Sequence, residues 1–132
     1  MTKKIILTLA AIAISISAIR AEVYDNEALL ATATAVSTSP AKLVGFCFNN
    51  LSSAPAYAHF YDAASAGAVT VGTTVQVYMV PIPQTGFQYF IPTGLIAHSF
   101  SSGMVIAITT SPLSTGSTAP SVGIYTHLDY SK

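Results

Sequence analysis

The stretch from residue 70 to residue 110 constrains the fold more than any other part of the sequence. It holds three apolar runs, at residues 75–82, 87–91 and 104–109, and glycine or proline separates each run from the next. Runs rich in Val, Ile, Tyr, Phe and Thr between such breakers are typical of β-strands. After the first twenty residues, no segment of comparable length has the period of an amphipathic helix. The sequence therefore predicts an all-β domain.

Further strands are predicted at residues 41–50, 56–63 and 121–130, because side chains alternate between two faces along a strand. In the first of these, one face consists of Val44, Phe46 and Phe48, and the other of Leu43, Gly45 and Cys47. In the last, the inward side chains are Val122, Ile124, Thr126, Leu128 and Tyr130, and the outward ones Tyr125, His127 and Asp129. Residues 104–109 are apolar on both faces, which predicts a central strand.

The connections complete this pattern. Residues 83–86 (PQTG) have the length of a hairpin loop between the strands at 75–82 and 87–91. Pro81 and Pro83 indicate an edge strand or the end of a ladder. In the loop before residue 75, we expect Val69 and Val71 to contact the core. About six to eight short strands in roughly 110 residues predict an antiparallel β-sandwich, jelly-roll or Ig-like, with a closed barrel as the alternative.

The chain is divided into three parts: residues 1–21, 22–40 and 41–132. The first has a basic start at Lys3 and Lys4, then an apolar run of about fifteen residues, shorter than the roughly 20 that span a membrane. This layout is typical of a secretory signal peptide ending at Ala21; the alternative is a hydrophobic arm that docks on a neighbouring subunit. Residues 22–40 are predicted as an extended arm or an edge strand, and residues 41–132 as the sandwich domain.

Charged residues are scarce. They make up 8% of the 132 residues, while 52% are hydrophobic, and the formal net charge is zero. Between Ala28 and Leu128 the only charged side chains are Lys42 and Asp62. Nucleic-acid binding is not expected, because the basic footprint that it needs is missing. A neutral Ser, Thr, Ala and Tyr surface favours a protein packed against copies of itself or a larger particle; a secreted domain with a neutral polar surface is the alternative.

Few residues are suited to catalysis. Cys47, the single cysteine, lies among apolar neighbours and is predicted to be a buried, inert thiol. His59, His98 and His127 lie on separate segments without ligand spacing, so no metal site is predicted; His127 and Asp129 are the best local pair and are interpreted as solvated strand-face residues. There is no G-x-S-x-G elbow and no phosphate-binding loop. We expect no catalytic residues and no cofactor.

The tyrosines are the remaining candidates. Tyrosine combines a large apolar ring with a polar tip and is enriched at interfaces. Taken singly, each tyrosine is equally well explained by packing in a sandwich. As a group they are a candidate contact surface, formed by Tyr57, Tyr61, Tyr78, Tyr89 and Tyr125.

Four motifs over residues 43–130 resemble a family of small β-sandwich domains in the structural proteins of tailed bacteriophages. They are AYAHFYDAA, TVGTTVQVYMVPIP, GLIAHSFSSGMVIAITTSP and APSVGIYTHLDY. The resemblance implies a non-enzymatic virion component, a capsid decoration (cement) or tail-associated subunit, whose partners are a major capsid or tail protein lattice and copies of itself. The signal-like first segment departs from this family, whose members assemble in the cytoplasm.

Two functional hypotheses follow. The first is a structural subunit of a virion that binds a protein lattice through apolar and Tyr, Ser and Thr side chains. The alternative is an extracellular or periplasmic β-sandwich, exported through the membrane by its first segment, that self-associates or binds a ligand such as a glycan. An enzyme would need a polar cleft of titratable groups, for which the sequence has few residues.

Overall fold

The computed structural model describes residues 21–90 and 98–132. Within these ranges the chain forms nine β-strands and one 3₁₀ turn at Ala66–Ala68. The strands are β1 (Ala21–Leu29), β2 (Thr34–Ser37), β3 (Ala41–Asn50), β4 (Ala56–Asp62), β5 (Tyr78–Ile82), β6 (Gly86–Phe90), β7 (His98–Phe100), β8 (Met104–Thr109) and β9 (Ile124–Ser131). The two ranges contain no helix that would reach across a bilayer.

The strands divide between two antiparallel sheets. Sheet A has the order β1-β9-β3-β6, with β7 also paired to β3, and sheet B has the order β2-β8-β4-β5. The strands pair like those of one long hairpin: β1 with β9, β2 with β8, β3 with β6 and β4 with β5. Successive pairs of this hairpin belong alternately to sheet A and to sheet B. This is the strand arrangement of a jelly roll. The predicted β-sandwich is confirmed, and the alternative of a closed barrel is wrong.

An apolar interior fills the space between the sheets. Phe48 and Phe100 from sheet A meet Phe60 from sheet B, with ring centroids 6.5 and 6.1 Å from that of Phe60. Aromatic rings at these separations add attraction beyond the area that they bury. The other large, fully buried side chains of this cluster are Leu43, Ile82, Met104, Ile106, Ile108, Ile124 and Leu128.

Strand β8 lies inside sheet B, as its apolar pattern predicted. All six of its residues are buried. Met104, Ile106 and Ile108 point into the interior, whereas Val105 and Ala107 belong to a second apolar cluster on the other side of the sheet. A strand that is covered on both faces needs apolar side chains at both parities, and this explains the continuous run.

The predicted faces of β3 are wrong in part, because the strand contains a bulge. Its pairing with β9 shifts register between Leu43 and Gly45. Leu43 therefore shares the interior with Phe46 and Phe48, although the alternation had placed it on the opposite face. A bulge inserts an extra residue and reverses the parity beyond it. Cys47 then points outward.

The predicted hairpin at residues 83–86 is also wrong. Because β5 pairs with β4 and β6 pairs with β3, this connection passes from sheet B to sheet A. Thr85 adopts a left-handed φ of 48°, and its N–H donates to the carbonyl of Ser52 at 3.0 Å. That hydrogen bond attaches the corner to the segment after β3. A short loop suits both a hairpin and such a corner, so loop length did not distinguish them.

Several strand boundaries differ from the prediction. β5 begins at Tyr78 instead of residue 75, and Val75 and Val77 are exposed. Pro81 lies exposed in β5 at the edge of sheet B, where a missing N–H costs no ladder bond. β6 begins at residue 86, and the predicted strand end at Ile91 lies outside the described residues.

The first and last strands of the described chain also differ in part from the prediction. β9 begins at Ile124 instead of residue 121, and from there to Tyr130 the predicted inward residues are buried. Val122, predicted inward, precedes the strand and is exposed. Residues 22–40 contain β2 and all of β1 except its first residue, Ala21; the two strands lie at the edges of sheets B and A respectively.

Candidate functional site

The outer faces of the two sheets differ in what covers them. On sheet B, the segment between β4 and β5 folds back, so that Val69 and Val71 pack with Tyr61, Val105 and Ala107, as expected for the two valines. On sheet A, large apolar side chains on the outer face remain exposed to solvent. They are Val23 at 55%, Phe87 at 63%, Tyr89 at 64% and Tyr125 at 39% exposure. The exposed side of sheet A is therefore the candidate site.

We call this surface the open face. Its side chains are Val23, Asp25, Cys47, Asn49, Phe87, Tyr89, Tyr125, His127 and Asp129. Residues directly opposite in an antiparallel pair share a face. The strand register therefore arranges these side chains in rows. One row across the sheet runs Asp25, His127, Cys47, Tyr89, and the next runs Tyr125, Asn49, Phe87.

The aromatic part of the open face lies around Asn49. Phe87 is its direct neighbour on β6 and Tyr125 its direct neighbour on β9. Neighbouring strands are about 4.8 Å apart and alternate residues about 7 Å apart along a strand. Phe87 and Tyr125 are thus separated by roughly 10 Å across the sheet, and Tyr89 lies roughly 7 Å from Phe87 along β6. The three rings frame an amide that can donate and accept hydrogen bonds.

The charged part of the open face is centred on His127, which lies between two carboxylates. Its Nδ1 is 2.6 Å from Asp25 Oδ1 and its Nε2 is 3.4 Å from Asp129 Oδ1. The hydrogen bond to Asp25 raises the pKa of His127 above its ordinary 6.5, the negative charge of Asp129 adds to this, and partial burial opposes it. The sequence predicted Asp129 as the partner of His127, but Asp25 is closer. Asp25 is distant in the sequence and is brought next to His127 by the pairing of β1 with β9.

Cys47 does not occupy the buried position predicted for it. It is a free thiol, half-buried on the open face, because the bulge in β3 turns it outward. It lies directly opposite His127 on β9 and Tyr89 on β6. An ionisable side chain therefore lies next to the thiol, although none is close to it in the sequence. Both nitrogens of this imidazole, however, are directed at carboxylates, so the ring is not placed to take a proton from the thiol.

The five tyrosines proposed as a contact surface are not brought together. Tyr61 is 1% exposed beneath the loop that covers sheet B. Tyr78 packs against the interior, and Tyr57 is half-buried on the outer side of sheet B. Only Tyr89 and Tyr125 lie on the open face. Sequence reasoning missed Phe87, although its i, i+2 spacing from Tyr89 within one strand was a usable signal.

The three histidines do not converge either. His59 is buried and hydrogen-bonds to Gln76 Oε1 and to the carbonyl of Ser111, so it joins two loops. His98 stacks on Tyr78 with ring centroids 5.3 Å apart. The third belongs to the open face. Within residues 21–90 and 98–132, no three His, Cys, Asp or Glu side chains are grouped so that they could hold a metal ion.

The carboxylate of Asp62 is perturbed by its surroundings, which give it a structural role. It accepts hydrogen bonds from the Ser101 hydroxyl at 2.6 Å and from the N–H groups of Ser101, Ser102 and Gly103 at 3.0, 2.7 and 3.4 Å. Burial alone would raise the pKa of Asp62, but these hydrogen bonds outweigh it and lower the pKa to about 2. The ionised side chain fixes the turn between β7 and β8.

The open face can therefore bind by stacking and hydrogen bonding on its aromatic part, and by charge on its His127 part. No protein-family model, no curated protein and no solved structure matches this chain. A jelly roll by itself is compatible with many functions, so the features that bear on function are the open face and the composition.

Proposed function

We propose that this chain is a non-enzymatic structural subunit that docks on a protein lattice through its open face. The observation that carries the proposal is the contrast between the two sheets: the chain covers the outer face of sheet B itself, yet leaves Phe87, Tyr89 and Tyr125 exposed on sheet A. Aromatic side chains dominate the binding energy of protein interfaces. An uncovered group of three such rings is the strongest docking feature among the described residues.

The energetics of such docking would be apolar. Each aromatic side chain can bury about 150–250 Å², and charged groups are depleted from interface cores. The aromatic part of the open face has no ionisable group except Cys47 and the tyrosine hydroxyls. Docking through it should depend weakly on salt, because screening acts on charge pairs and not on buried apolar area.

A virion is the particle that we propose. The resemblance of residues 43–130 to structural proteins of tailed bacteriophages supports it, and so does the near absence of charge between Ala28 and Leu128. Viral capsid domains are also among the proteins that use the jelly roll. On this proposal the chain is a capsid decoration or tail-associated subunit, its partner is the major capsid or tail protein, and it catalyses no reaction.

The test is incorporation into particles. We expect the chain to co-purify with density-banded virions and to remain bound through a wash in about 1 M NaCl, where the Debye length is roughly 3 Å. The double variant Phe87→Ser, Tyr89→Ser should lose most of its occupancy on particles. Leu113→Ser is the matched control, because Leu113 is 65% exposed in a loop away from the sheet. Release of the wild-type chain by moderate salt, or equal loss in the control, would contradict the proposal.

A second candidate is a secreted β-sandwich that binds a glycan on the same face. The observation that favours it is the mixed chemistry of the surface: Phe87 and Tyr125, rings on which sugars stack, share a row with the amide of Asn49. The same face carries the carboxylates of Asp25 and Asp129, which accept hydrogen bonds from hydroxyls. Lectin domains also use the jelly roll. N-terminal sequencing of the native protein separates the candidates, since a start at Glu22 supports export and a start at Met1 or Thr2 supports an arm.

A further inference from the structure

The four sheet edges of the described chain are not equally protected against pairing with another strand. An exposed edge offers free N–H and C=O groups, and proteins normally block it with charge, proline, a bulge or a very short strand. Strand β1 carries Glu22, Asp25 and Glu27. Strand β5 carries Pro81, and β2 has only four residues with a register shift against β8.

Strand β6 has none of these protections. Its sequence, GFQYF, contains no charged residue and no proline. On one side it pairs with β3 over all five residues, and on the other side no strand of the described chain pairs with it. Phe87 and Tyr89 stand exposed on the open face beside this edge. An uncharged edge with exposed aromatic side chains is a template for strand addition.

We propose that β6 pairs with β6 of a second copy of this chain, antiparallel about a twofold axis at Gln88, so that sheet A continues across a dimer. This register places Phe87 of each copy opposite Tyr89 of the other. Aromatic pairs that lie directly opposite stabilise antiparallel strands. The twofold uses the same strand on both copies and closes the assembly as a dimer.

The charge distribution favours a second copy as the occupant of this edge. In the joined sheet the order is β1-β9-β3-β6 followed by the same strands in reverse, so the two β1 strands lie at opposite ends. Seven strand spacings of about 4.8 Å separate the two Asp25 residues by roughly 34 Å, several Debye lengths at physiological salt. The acidic ends of the two copies therefore do not oppose pairing, and the strands that meet are uncharged.

The pairing of the two β6 strands would also enlarge the open face. A twofold axis perpendicular to the sheet keeps both open faces on the same side, so the dimer would present one continuous surface with six aromatic rings, three from each copy. A five-residue strand and two rings per copy bury less than the roughly 1,600 Å² of a standard interface. We therefore expect a dissociation constant of about 10–500 µM, typical of a small interface. The pairing does not depend on what the open face binds.

Sedimentation velocity of the full chain from about 1 µM to about 1 mM tests this, because the range brackets a weak interface. We expect a dimer whose fraction rises with concentration. Phe87→Lys and Tyr89→Lys should each weaken it at least about tenfold, since an edge lysine blocks strand addition. Val23→Lys, on the open face of the opposite edge strand and similarly exposed, is the control and should leave the dissociation constant unchanged.

Hydrogen exchange distinguishes strand pairing from association through side chains alone. Backbone amides of residues 86–90 should exchange more slowly at the highest concentration than at the lowest, with no such change in β1. Melting temperatures of the lysine variants show whether their fold is intact. A wild-type monomer throughout the range, equal weakening by Val23→Lys, or amides of β6 that do not respond to concentration would each overturn the pairing. A dimer that fails to bind particles would instead refute only the proposed docking.

Discussion

Replacing Phe60 with alanine should remove a central contact between the two sheets. The ring is fully buried. It contacts Phe48 and Phe100 from sheet A and Tyr78 from its own sheet, with centroid distances of 6.5, 6.1 and 5.8 Å. Phe→Ala substitutions in a core cost about 3–5 kcal/mol. We expect the upper half of this range, because rings from both sheets lose a neighbour and a strand cannot collapse locally into the cavity without breaking its ladder hydrogen bonds.

The loss would be a large fraction of the stability of a domain of this size, which is about 5–15 kcal/mol. Phe60→Leu keeps most of the volume and should cost only about 1–2 kcal/mol. Urea unfolding followed by tyrosine fluorescence measures both, since the chain has seven tyrosines and no tryptophan. Phe87→Ala, the same change at an exposed site, should stay within about 0.5 kcal/mol. A cost below about 1 kcal/mol for Phe60→Ala, or one equal to that of Phe87→Ala, would refute the proposed packing.

Three further predictions concern the turns and the pH dependence. The hydrogen bonds that lower the pKa of Asp62 to about 2 stabilise the fold above pH 3.8, and this stability is lost as pH falls towards 2. In acid unfolding, Asp62→Asn should remove this contribution of Asp62 to the pH dependence of the free energy of unfolding, whereas the control Glu27→Gln should keep it. The raised pKa of His127 stabilises the fold below pH 6.5, and this contribution, under about 1 kcal/mol because solvent screens the pair, is lost as pH rises through the folded pKa. In urea unfolding at several pH values, His127→Gln should reduce the fall of the free energy of unfolding with rising pH. An unchanged fall would contradict this prediction. Gly103→Ala should destabilise by about 1–3 kcal/mol, measured by thermal unfolding, because its Cβ would lie 2.6 Å from two backbone carbonyl oxygens.

Where local pattern and final packing agree, strands were predictable to the residue. Met104–Thr109 and Ala41–Asn50 have the predicted bounds, because each is an apolar or alternating run that ends at turn residues. The central position of β8 followed from apolar side chains at both parities. These features depend on neighbours within a few residues, which a sequence displays directly.

The open face was less predictable, because its residues come from four strands. Asp25 and His127 meet only through the β1–β9 ladder, and Phe87 shares a row with Tyr125 only because both strands flank β3. The tyrosines, chosen by residue type alone, were distributed by the fold among the interior, sheet B and the open face. The type of a residue indicates which interactions its side chain can make. It does not indicate which face of a sheet the rest of the chain will cover.

The amino-acid sequence by itself determined the class of structure, through strands bounded by glycine and proline and an interior rich in phenylalanine and isoleucine. Only the tertiary structure decided that β5 and β6 separate into different sheets, that a bulge turns Cys47 outward, and that residues 21–90 and 98–132 leave one outer face uncovered. The physical reason is the separation along the chain over which each kind of interaction acts. Strand propensity and alternation act between adjacent residues, whereas register, bulges and coverage are set by hydrogen bonds and contacts between residues that are as far apart in the sequence as Ala21 and Ser131.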